Sequence, residues 1–135
     1  MASDRASGDQ SSILAGRCVL VVDDEELLQK ASKSMLEYRG AIVLLADSGD
    51  TALEILRTCP VKPNLVVLDL SMPGMSGKET FAHIRKDHPD IPVVISSGYP
   101  VDSKDFESDT KPDGILRKPY TLAEFLAVVE AAIGH

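Results

Sequence analysis

Short apolar runs alternate with helix-spaced segments along most of this chain. "CVLVV" (18–22), "AIVLLA" (41–46), "LVVL" (65–68), "PVVI" (92–95) and "GIL" (114–116) are brief and rich in Val, Ile and Leu. Such runs read as strands of a parallel sheet covered on both faces. Between them, apolar residues return at helical spacing. Residues 25–38 carry Leu27, Leu28, Ala31, Met35 and Tyr38, and Gly40 supplies a stop signal. Residues 49–58 carry Ala52, Leu53, Ile55 and Leu56 behind Ser48, a candidate cap. Ser76 and Glu79 form a capping-box signature ahead of a helix over 77–87. Thr121 and Glu124 repeat it before a last helix whose apolar face holds Leu122, Phe125, Leu126, Val129 and Ile133. The segment "VDSKDFESDT" (101–110) has poor helix formers, with Val101 and Phe106 as anchors and Pro112 close behind. A short or mobile fourth helix is expected there.

Five βα units in a row predict one doubly wound α/β domain, a five-stranded parallel sheet with right-handed crossovers. In open sheets of this kind, sites form outside the carboxyl ends of the strands. Strand 1 ends at Asp23 and Asp24, strand 3 at Asp69, strand 4 at "SSG" (96–98), and strand 5 just before Lys118. These groups converge on one edge in any compact arrangement. Two carboxylates 4 Å apart repel by about 4 kcal/mol at an effective dielectric near 20, so three of them call for a cation. Oxygen-only ligands suit a hard ion such as Mg²⁺. A metal, an ammonium and a hydroxyl around one carboxylate form a set that handles phosphoryl groups. A carboxylate can itself be the nucleophile, and Asp69, alone on a central strand, is the candidate. Gly98 would let a backbone N–H approach an anion.

Each piece has a plainer reading. Asp24 could cap the first helix, Asp69 could cap a turn, and a lone lysine is ordinarily solvated. Gly74 and Gly77 read as loop glycines, and no phosphate-binding glycine fingerprint is present. His83, His88 and His135 read as surface residues. The combination at four strand ends is what carries the chemistry.

Composition narrows the partners. The 135-residue chain has a net charge of -7. That disfavours nucleic acid and anionic membranes, which reward clustered Lys and Arg, and suits a cation or a basic partner face. No apolar run nears the roughly 20 residues of a membrane span. The start "MASDRASGDQSS" lacks the apolar middle of a signal peptide, so a cytoplasmic location is expected. Cys18 and Cys59 form no metal or disulfide framework and read as reduced packing residues. Residues 1–16 read as a disordered tail or linker, and 17–135 as the folded domain.

The motifs "VLVVDDE", "LVVLDLSMPGMSG", "VVISSGY" and "ILRKPY", in this order, resemble those of response-regulator receiver domains of two-component signalling. The likeness covers about residues 17–135, and it implies a flavodoxin-like (βα)5 fold. It also implies a role for each strand-end residue. Asp69 would be the phosphoacceptor. Asp23 and Asp24 would be the acid pair, Asp24 the direct Mg²⁺ ligand, and the Ser71 backbone carbonyl would complete the metal's protein ligands. Mn²⁺ is a candidate substitute for Mg²⁺. Ser97, followed by the small Gly98, would be the switch hydroxyl, with Ser96 as the alternative. Lys118 would contact the phosphoryl group, next to a cis Lys118–Pro119 bond. Ile115 stands where receivers often carry a mobile aromatic residue.

The resemblance implies a switch with self-catalysed phosphotransfer and dephosphorylation, and no turnover enzyme. The donor would be a histidine kinase or a histidine phosphotransfer protein. Ser71 and Tyr99 flank the site and are expected to tune hydrolysis. The "SSGY" ending is similar to receivers fused to hybrid sensor kinases, so excision from a longer kinase is expected. Oligomeric state stays open. A phosphatase of the haloacid-dehalogenase type would need a second acid two residues after Asp69, where Ser71 stands. A binding module that no longer accepts phosphate is countered by the complete residue set.

Overall fold

The computed structural model describes residues 13–71, 76–101, 106 and 111–134. Among these described residues nine elements follow in order: β1 (Cys18–Val22), α1 (Glu26–Tyr38), β2 (Ile42–Ala46), α2 (Gly49–Thr58), β3 (Leu65–Asp69), α3 (Gly77–Asp87), β4 (Val93–Ser97), β5 (Gly114–Arg117) and α4 (Leu122–Ile133). All strand pairs are parallel, in the order β2-β1-β3-β4-β5. The strands lie within a residue or two of the expected apolar runs. The expected fourth helix falls largely on 102–105 and 107–110, outside the described residues. Its two anchors do pack: Val101 and Phe106 join the cluster under α2 and α3, and Phe106 meets Phe81 edge-on at 5.2 Å between ring centres.

Side chains alternate across each strand and so build two cores. Val19, Val21, Leu65, Val67 and Val94 face α1 and α4 with Leu36, Phe125 and Val129. Leu20, Val22, Val66, Leu68 and Ile95 face α2 and α3 with Leu56, Phe81 and Ile84. Burial of both strand faces explains why the strands read as unbroken apolar runs.

The helix starts follow local chemistry. Ser48 accepts from Thr51 N–H, and both Ser76/Glu79 and Thr121/Glu124 form complete capping boxes. The α1 start differs from one reading: its cap is Glu25, with no side-chain cap bond, so Asp24 does not cap it. The buried row of α1 is also one position out of phase with the apolar residues. Ser32 and Leu36 are buried, whereas Leu27 is 82% and Tyr38 71% exposed. In α4, Leu122 is 52% exposed while Phe125, Leu126, Val129 and Ile133 are buried. Gly40 stops α1 with φ +90°, as a left-handed glycine does.

The packed body starts ahead of residue 17. Leu14 is fully buried in the α1/α4 core, and Gly16 N–H donates to Gly40 O at 2.9 Å. The half-buried thiols of Cys18 and Cys59 are unbridged.

Candidate functional site

The chain leaves β1 for one side of the sheet and later adds β3 on the other. The reversal lies between β1 and β3, where a crevice opens at their carboxyl ends. Asp23 follows β1 and Asp69 ends β3, so the topology alone brings these acids together. The strand register places Asp69 opposite Ser96 on β4, and Ser97 opposite Arg117, one residue before Lys118.

The expected groups meet. Carboxylate oxygens of Asp23, Asp24 and Asp69 lie within 4.8 Å of one another. Asp23 and Asp69 are buried, and Asp24 is exposed. Lys118 Nζ reaches in from β5, 3.3 Å from Asp69 Oδ2 and 3.4 Å from Asp23 Oδ2. Its backbone N–H donates to Ser97 O at 2.7 Å, and the Lys118–Pro119 peptide is cis, as expected. Oxygen-only donors around a concentrated negative charge fit a hard divalent cation, and among the described residues no Cys or His joins them to favour zinc.

Asp69 is held on one side by Ser71. The Ser71 N–H and hydroxyl both donate to Asp69 Oδ1, each at 3.0 Å. Asp23 Oδ1 accepts the Glu25 N–H at 2.9 Å. Gln29 donates to the carbonyls of Asp23 and Ala46, tying the ends of β1 and β2 to α1. Ser97 is buried, and its hydroxyl donates to Tyr99 O at 2.9 Å and accepts from Tyr99 N–H at 3.1 Å. Ser96 is buried too, and its carbonyl accepts from Leu70 N–H. A cavity of about 220 Å³ lies beside Ser97, Tyr99, Val101 and Ile115. A Cβ on Gly98 would meet no atom of the described residues within 4 Å, so their packing does not require glycine there.

Three contacts were missed by reading the sequence. Glu25 Oε1 lies 3.3 Å from Lys118 Nζ. Tyr120, stacked on Phe125, faces the buried Ser32 of α1. Gly77, read as a loop glycine, is the first residue of α3 and is pressed against Leu70. The signal for Gly77 was its place directly after a capping Ser. The other two join residues far apart in the chain and left no local pattern. His83 is exposed, and His88 caps the end of α3.

Burial pushes the Asp23 carboxyl above its usual value, and the nearby Asp69 charge adds to this. The Glu25 N–H and Lys118 pull the other way without cancelling it. Burial alone would lower the Lys118 ammonium, but the charges of Asp69 and Asp23 outweigh it and hold its value up. Lys118 therefore stays charged at neutral pH. A raised carboxyl stabilises the fold fully below its ordinary value of 3.8, and that contribution is lost as pH rises through the raised value. Metal-free Asp23→Asn protein is accordingly expected to melt roughly 3–5 °C above wild type at pH 7. The gap should close towards pH 4. Thermal melts in chelator across that range test this, and a gap that is constant or widens in acid would contradict it.

Comparison with known proteins agrees with this geometry. A sensor kinase, CckA of Brucella abortus, is 36% identical over 114 residues, 83% of this chain and 12% of that protein. The chain spans about half the length of the response regulators it matches. A CheY-like receiver domain from Methanospirillum hungatei superposes with a TM-score of 0.81 over 89% of this chain and 95% of that one, at 22% identity, a likeness of fold. The response regulator TrrA of Thermotoga maritima, solved with Mg²⁺ and beryllofluoride, has a TM-score of 0.75 and 30% identity over 84% of this chain and 96% of its own. Residues 19–130 match the family described as response regulator receiver domain. With the acidic crevice at the β1/β3 reversal, that match over most of its length establishes that the chain belongs to the response regulator receiver domain family.

Proposed function

We propose that Asp69 accepts a phosphoryl group from a phosphohistidine of a histidine kinase or histidine phosphotransfer protein, in a Mg²⁺-dependent reaction. The observation that supports this best is the convergence of Asp23, Asp24 and Asp69 on one point with Lys118 beside them. Asp23, Asp24, Asp69 and the Ser71 carbonyl would hold the cation, and Mn²⁺ would serve in its place. Bound there, the cation would supply positive charge to the phosphoryl oxygens.

The chain's own residues do the rest. Asp69 Oδ1 takes both donors from Ser71, which leaves Oδ2 as the nucleophile. Oδ2 forms the new O–P bond as the P–N bond of phosphohistidine breaks, and the leaving imidazole retains the electron pair. Lys118, 3.3 Å from Oδ2, neutralises the incoming oxygens. Ser97 exchanges its bonds with the Tyr99 backbone for one to the phosphoryl group. That exchange loosens the 97–101 segment and changes the surface a partner reads. Water then hydrolyses the acyl phosphate and resets the switch.

The test is intact mass after incubation with Mg²⁺ and acetyl phosphate. One added phosphoryl group is expected, and none in chelator. A chain that also takes up no beryllofluoride in Mg²⁺ would refute the reading. The same cation should raise the melting temperature, because ligand at 100 times its Kd stabilises a fold by about 2.7 kcal/mol. Melts without and with Mg²⁺ measure this, and an unchanged midpoint at millimolar Mg²⁺ would count against the site.

A further inference from the structure

Among the described residues, three carboxylates lie within ion-pair distance of Lys118 Nζ: Asp69 and Glu25 at 3.3 Å and Asp23 at 3.4 Å. Two of them belong to the acidic cluster, and Glu25 does not. A cation shared by Asp23, Asp24 and Asp69 engages the charge of two of the three partners of Lys118. Glu25 is left as the partner whose charge stays available. Its position suits that task. Its N–H is fixed on Asp23 Oδ1, and its side chain makes no cap bond to α1. Its carboxylate is 61% exposed, free to follow the ammonium, whose own side chain is only 15% exposed.

We propose that Glu25 is a positioning residue that retains Lys118 at the rim of the acidic crevice and competes with a phosphoryl group on Asp69 for its ammonium. The competing half rests on the functional reading above, and the retaining half does not. Glu25 thereby weakens the hold of Lys118 on the phosphorylated state, which favours return to the resting state.

The two halves call for two measurements on the full chain in saturating Mg²⁺. In the first, the Lys118 side chain is followed by NMR with labelled lysine and assigned by its loss in Lys118→Ala. Restricted motion is expected in wild type, and averaging like that of a solvated lysine in Glu25→Gln. Unchanged Lys118 signals in Glu25→Gln would overturn the retaining role.

The second is beryllofluoride affinity. Glu25→Gln is expected to bind about threefold more tightly, the size of a half-exposed ion pair. The same substitution in a Lys118→Ala background should leave affinity almost unchanged, because the effect runs through the lysine. An equal gain in both backgrounds would reflect charge alone and overturn the competition. A wild type that binds no beryllofluoride would fail the functional reading and the competition with it, while the retaining role stands or falls on the NMR result.

Discussion

Asp69→Asn protein is expected to gain no phosphoryl group from acetyl phosphate in Mg²⁺, where wild type gains one. The substitution is nearly isosteric, so the loss isolates the nucleophile. An Asn Oδ1 still accepts the two Ser71 donors that hold Asp69 Oδ1 at 3.0 Å. What disappears is the anionic oxygen facing Lys118. A neutral amide is a poor nucleophile and offers no charge to the cation. Lys118 keeps Asp23 and Glu25 as partners, so no buried charge is stranded. Removing one of three crowded acids also relieves repulsion in the metal-free chain. The variant should therefore melt no lower than wild type in chelator. Intact mass and a melt on the same sample test both halves. An adduct on the folded variant would place the acceptor elsewhere, with Asp24, the exposed acid of the cluster, first in line.

Gly77→Ala should have the largest effect on stability. A Cβ at Gly77 would lie 2.4 Å from Leu70 Cα, 2.8 Å from Leu70 Cδ2 and 3.0 Å from Asp69 O. Two of these atoms are backbone and cannot rotate away. The contact at Gly49 differs in kind, because the Cβ there would meet the side chain of Thr80 and not backbone. Overpacking of a tight site costs about 1–3 kcal/mol, and a backbone obstacle puts Gly77→Ala at about 3 kcal/mol. That is a large part of the roughly 5–15 kcal/mol that holds a domain folded. The strain also falls on the peptide that carries Asp69, so the affinity for Mg²⁺ with beryllofluoride should drop as well. Urea melts and beryllofluoride titration check the two effects. Wild-type stability in Gly77→Ala would mean that α3 can retreat from β3 without cost.

The strand ends were legible because parallel strands buried on both faces leave a plain signature, and because the crevice takes its acids from the residues that end that signature. Asp23, Asp69, Ser97 and Lys118 were each placed by a boundary between apolar and polar residues. The face of α1 was harder. Its buried row includes Ser32, a polar residue that Tyr120 faces from the far end of the chain, so hydrophobicity pointed one residue away. Leu27 and Tyr38, which fit the helical apolar spacing, stand in solvent. Glu25 was hidden by its neighbours: after two acids with evident work, a third looked like one more polar residue at a helix start. Leu14 lay in a segment whose composition reads as linker, and one side chain does not change a composition.

Leu14 has a mechanical meaning. It seats in the core at the amino end of β1, while the acids lie at the carboxyl end. Five strand residues at about 3.3 Å each separate the two ends by roughly 16 Å. Leu14 thus moors its segment at the rear of the sheet. A load on that end of the chain would fall on the α1/α4 core, about a strand's length from the acids.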